Sequence, residues 1–144
     1  EHQSQSRQLS VQQFVLDLGV PQGSSISVTL FLIAVNTILD FLPQNLQKSL
    51  FVDDCRISFR EPSIGRDTIK RIQSILNNLE KWASQTGFKF AEGKSEILIC
   101  TRKQISVPPN LELSLVNKKI KTVTEKKFLG VWFDWRITWK THID

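Results

Sequence analysis

The sequence predicts an α+β fold, and three observations predict it: a long segment with apolar residues at helical spacing, a shorter apolar segment between serines and a proline, and several apolar runs separated by turn residues. At 144 residues the chain has room for one domain with a real core. Its 40% hydrophobic and 23% charged residues exclude a collagenous, low-complexity or wholly disordered chain. The longest apolar stretch, Leu30 to Leu42, is interrupted by Asn36, Thr37 and Asp40. It falls short of the roughly 20 apolar residues a spanning helix needs, so no membrane partner is expected. No signal segment opens the chain. The first residue is Glu1 and there is no methionine, as expected of an excerpt from a longer product.

Element by element, Glu1 to Gln13 is polar and rich in Gln and Ser, followed by a short candidate strand at Phe14 to Leu16. Gly19, Pro21 and Gly23 punctuate a tight loop, and Ser24, Ser25 and Ser27 are candidate N-caps for a helix from about Ser27 to Phe41. Leu30, Ala34, Ile38 and Phe41 would form its face, and Pro43 its stop. From Lys48 to Arg60, the runs SLFV and RISF flank Asp53-Asp54, which predicts a hairpin with carboxylates at its tip. After Pro62 and Gly65, a helix carries Ile69, Ile72, Leu76, Leu79, Trp82 and Thr86 on one face and ends at Gly87. Phe88 to Phe90 and Glu96 to Cys100 read as short strands around Glu92-Gly93, and Pro108-Pro109 as a loop. Leu111 to Val116 is expected to pair with Lys119 to Val123 across Asn117-Lys118, Phe128 to Phe133 to add a strand, and Ile137 to Ile143 to start a helix.

The net charge of +5 is unevenly placed: residues 1–88 carry eight basic and eight acidic side chains, residues 89–144 eleven and six. An excess of this kind suits contact with a phosphate backbone, and equally a solvated lysine-rich face. Cys55 and Cys100 lack ligand spacing, and His2 and His142 lie at opposite ends, so the thiols are expected to be reduced and buried rather than zinc-bound.

Two segments could carry chemistry. Adjacent carboxylates at a hairpin tip repel each other, and a hard divalent cation shared with substrate phosphates would relieve them, although Asp is also an ordinary turn residue. The run Gly19-Val20-Pro21-Gln22-Gly23-Ser24 fixes an unusual backbone path ahead of a helix N-terminus, where phosphate is favoured, and could equally be a plain helix entry.

Taken together, GVPQGSSIS with TLFLIAVN, FVDD, WASQTGFKFAEGKSEILI and FLGVWFDWRITWKTHI resemble, in order, the palm motifs of reverse transcriptases of non-LTR retrotransposons. The resemblance implies an antiparallel palm sheet carrying the catalytic hairpin, with helices behind it and the start of a thumb. It divides the chain into a poorly matched stretch 1–18, palm over 19–127, and primer grip with thumb entry over 128–144. It also implies templated addition of deoxynucleoside triphosphates to a DNA primer on an RNA template, with two Mg2+ ions. Asp53 would be a metal ligand, with Asp54 beside it. Gly19, Pro21, Gln22, Gly23 and Ser24 would contact template and nucleotide, and Phe128, Leu129 and Gly130 would grip the primer. Lys94 matches the lysine that protonates the pyrophosphate leaving group, and also reads as a solvated lysine at a turn. Trp132 and Trp135 would face bases or sugars, with at least one of them in the core.

Two metal ions need carboxylates from two elements, and the family's other aspartate precedes the GVPQG segment; Asp17 has neither the position nor the context for it. This stretch alone is therefore expected to be inactive. Val28, Cys55 and Arg56 depart from the family pattern, and Arg56 would either pair with Asp54 or point out of the sheet. The alternative to an enzyme fragment is a non-catalytic RNA- or DNA-binding remnant of a decayed element. Nuclear action is implied by the family alone.

Overall fold

The computed structural model describes residues 23–91, 93–101 and 111–143. The candidate strand at Phe14 to Leu16, the Pro108-Pro109 loop, and Gly19, Pro21 and Gln22 lie outside them.

Helix α1 spans Ser25–Asn36, and Ser24 caps it by accepting the Ile26 N–H on its hydroxyl at 3.4 Å. Its path tightens into a 3-10 turn over Thr37–Phe41 before Pro43. The apolar residues of α1 surround its axis instead of forming a stripe. Val35 and Ile38 are buried, whereas Ile26, Val28, Leu30, Leu32 and Ile33 are exposed. The expected face therefore fails at Leu30.

Strands β1 (Gln47–Phe51) and β2 (Asp54–Ser58) form the expected antiparallel hairpin. Alternation sends Lys48, Leu50, Cys55 and Ile57 to one side and Ser49, Phe51, Asp54 and Arg56 to the other. Leu50 and Ile57 pack on the core. Lys48 reaches under the hairpin, donating from Nζ to the carbonyls of Leu39 and Leu42 at 3.2 Å each, which satisfies the end of the 3-10 turn.

Helix α2 spans Arg66–Thr86 and ends at Gly87, whose φ of 77° closes it with an N–H to the Ala83 carbonyl at 2.9 Å. Its buried residues are Ile75, Leu79, Trp82 and Ala83; Ile69, Ile72 and Leu76 are half-buried, and Thr86 is exposed. The core gathers these with Ile38, Leu42, Leu46, Leu115 and Ile120. Trp82 is its aromatic centre, stacked on Phe88 at 5.0 Å and tilted to Phe90 at 6.1 Å, while Phe88 meets Phe31 of α1 at 5.8 Å. Phe88 to Phe90 is thus not a strand: both rings face Trp82 with Lys89 exposed between them, but among the described residues the segment pairs with no other strand.

The second half also differs from expectation. Strand β3 (Glu96–Leu98) runs parallel to β6 (Lys121–Val123). Between them, β4 (Ser114–Leu115) and β5 (Lys118–Lys119) form a small antiparallel hairpin. Its loop is Val116-Asn117, one residue earlier than expected, with positive φ at both positions. Phe128 to Phe133 is a hairpin rather than a strand: β7 (Glu125–Phe128) returns as β8 (Val131–Asp134) across Leu129-Gly130, also with positive φ at both. Helix α3 is one turn, Lys140–Ile143. The fold is α+β as expected, but among the described residues the strands form four two-stranded ladders, three antiparallel and one parallel, where one antiparallel sheet was expected. Two-residue loops fold the short strands back on themselves, and the backbone bonds are spent locally.

Candidate active site

The β1–β2 loop consists of two residues, Val52 and Asp53. Positive φ falls on Val52 alone, at 54°, the position that a type II′ hairpin reserves for glycine. Asp53 sits in the loop, and Asp54 opens β2 opposite Phe51. Both aspartates are exposed, and neither side chain makes an ion pair or hydrogen bond among the described residues. Two unspent carboxylates on a short, tightly turned loop offer hard oxygen donors of the kind Mg2+ takes when phosphates and water complete its shell. Among the described residues, no group of three His, Cys, Asp or Glu side chains gathers around a common point.

Gly23, with a φ of 94°, leads into the Ser24 cap, which places the described end of the GVPQGS segment at the N-terminus of α1. Lys94 is exposed on a turn, its N–H donating to the Ala91 carbonyl at 3.3 Å. Phe128 ends β7 on the face it shares with Lys126, Val131 and Phe133, while Leu129 and Gly130 form the tip.

The two tips belong to hairpins that touch. The Arg56 guanidinium lies over the Phe133 ring, 4.9 Å from its centroid, so Arg56 neither pairs with Asp54 nor points away from the fold. Lys126, which faces Phe133 across the strands, pairs with Glu96 of β3 at 2.5 Å. On the other side of this hairpin, Lys127 lies over Trp132 at 5.9 Å, and Arg136 over Trp135 at 4.5 Å. Trp132 is half-buried and Trp135 is exposed; neither joins the core, where Trp82 occupies the aromatic position. Both cysteines are free, and both are exposed rather than buried as expected. Neighbouring atoms still displace water around Cys55 and raise its pKa. At Cys100 desolvation also raises it, the Arg56 charge draws it down and Asp134 pushes it up.

Sequence reasoning missed Asp134. Its Oδ1 accepts the Arg136 N–H at 2.9 Å, and its Oδ2 accepts the N–H groups of Thr138 and Trp139 at 2.8 and 3.0 Å and the Thr138 hydroxyl at 3.1 Å. Desolvation, the largest single influence, works against the ionised form, but the donors from Thr138, Arg136 and Trp139 together outweigh it and hold the carboxyl below its ordinary pKa. The available signal was an aspartate ending a strand with a threonine four residues on, the pattern of a side-chain-capped turn.

A family model described as reverse transcriptase (RNA-dependent DNA polymerase) matches residues 4–133. The chain belongs to the reverse transcriptase family. Searches of curated proteins and of solved structures matched nothing. Membership of this family implies a nucleic acid template, nucleotide substrates and a divalent metal, and it spans the GVPQG segment, the carboxylate hairpin, Lys94 and the Phe128–Gly130 tip of this reverse transcriptase chain.

Proposed function

We propose that the chain is the palm and thumb entry of an RNA-directed DNA polymerase of a non-LTR retrotransposon. The observation that carries this reading is the FVDD hairpin, with two exposed carboxylates at its tip that make no ion pair or hydrogen bond among the described residues, inside a reverse transcriptase match covering residues 4–133. Four motifs in family order support the non-LTR assignment: GVPQGSSIS, FVDD, the Trp82 to Ile99 segment and the segment from Phe128.

In this reading Asp53 and Asp54 hold Mg2+, which supplies charge neutralisation at the triphosphate and activation of the primer 3′ hydroxyl. Gln22 and Gly23 orient template and nucleotide, Phe128 to Gly130 hold the primer end, and Lys94 donates a proton to the departing pyrophosphate. Two ions need more carboxylate than one hairpin tip offers, so the 144-residue chain alone does not polymerise.

The test has two parts. Mn2+ titrated into the chain should bind, and Asp53→Ala should weaken that binding at least tenfold; equal affinity in both would overturn the metal assignment. Primer extension on an RNA template by the chain alone should give no product, and templated incorporation would overturn the claim of inactivity. Duplex binding that falls steeply with salt but is indifferent to Mg2+ and to Asp53→Ala would favour a non-catalytic binding module.

A further inference from the structure

Arg56 stands two residues after Asp54, on the same side of the β1–β2 hairpin, opposite the small Ser49. Its guanidinium lies on Phe133, which belongs to the β7–β8 hairpin and shares a face with Phe128. The same ring meets Trp139 at 5.6 Å, and its cross-strand neighbour Lys126 is held by Glu96 at 2.5 Å. Phe133 is therefore held between Arg56 and Trp139, and Arg56 carries a contact from the carboxylate hairpin to it. Strand rise puts each hairpin tip within about 10 Å of this contact, measured along its own strand. A guanidinium over an aromatic face is attracted by the ring quadrupole.

We propose that Arg56 is a positioning residue that clamps the carboxylate hairpin to the β7–β8 hairpin and so sets the distance from Asp53 and Asp54 to Leu129 and Gly130. Its functional meaning rests on the polymerase reading above: a metal bound at one tip and a primer end held at the other must keep a fixed separation for in-line attack.

The clamp is tested without any metal by attaching a nitroxide to Cys55, in a Cys100→Ser background, and reading the broadening of the Leu129 and Gly130 amide signals by NMR. Broadening is expected in the parent, and it should be lost in Arg56→Gln and Phe133→Leu and retained in Phe133→Tyr, which keeps the ring face. Unchanged broadening in Arg56→Gln would overturn the proposal, as would loss in Phe133→Tyr. A second arm replaces the nitroxide with Mn2+. Should Mn2+ fail to broaden the amides flanking Asp53, the metal reading falls, while the nitroxide series still decides the role of Arg56.

Discussion

The indole N–H of Trp82 donates to Thr37 Oγ1 across 2.8 Å, and the same hydroxyl donates to the Ala34 carbonyl at 2.6 Å. One threonine thus joins the middle of the core to the point where α1 tightens into its 3-10 turn, directly upstream of the carboxylate hairpin. A buried indole needs such a partner.

Trp82→Phe keeps most of the packing and loses the bond, and should cost about 1 kcal/mol. Trp82→Ala should cost about 3–5 kcal/mol through the cavity it leaves. Urea midpoints would measure both. Equal costs for the two variants would show that the hydrogen bond, and not the ring, carries the contact.

Val52 has a β-branched side chain at a φ of 54°, a conformation that costs about 1–2 kcal/mol for an L residue. Val52→Gly should therefore raise the urea midpoint by an amount equivalent to about 1 kcal/mol, whereas Ser49→Gly in the adjoining strand should lower it. A drop on Val52→Gly would mean that the valine side chain makes up for its own strain.

Asp134 titrates below the ordinary carboxylate range in the folded chain. The stabilisation it gives is therefore complete above about pH 5, where the unfolded carboxyl is already ionised, and disappears as the pH falls through its lowered folded value. Fluorescence of Trp135 and Trp139, which flank its capped loop, should show an acid transition in the parent that Asp134→Asn flattens. An identical acid limb in the variant would sink the assignment.

Cys55 and Cys100 are exposed, with pKa values raised by desolvation. Both should react with a disulfide reagent in the folded state, more slowly at pH 8 than free cysteine does, because less thiolate is present. Added salt, which screens the Arg56 charge without removing its side chain, should slow Cys100 relative to Cys55, since that charge favours only the Cys100 thiolate. Acceleration at Cys100 would contradict the placement of that guanidinium.

Local signals predicted local structure well in this chain. Gly87 at the end of α2, Ser24 at the start of α1 and the apolar runs around Asp53-Asp54 each produced the element expected of them. These depend on φ preference, capping and alternation, which neighbouring residues supply. Leu30 and Phe88 went the other way. Leu30 has helical spacing but α1 is apolar all round, so spacing alone could not choose its buried side. Phe88 to Phe90 has strand-like composition but is drawn onto Trp82, a packing choice made by a residue in another element.

What the sequence by itself determined was the two helices of the first half, the carboxylate-tipped hairpin between them and the motif series that marks a reverse transcriptase. Tertiary structure alone decided that β3 pairs with β6 in parallel across an intervening hairpin and that Arg56 turns to Phe133 rather than to Asp54. The physical reason is range. Caps, turns and alternation are settled within a few residues, whereas a pairing partner or the ring that a guanidinium covers depends on which distant surfaces the core brings together.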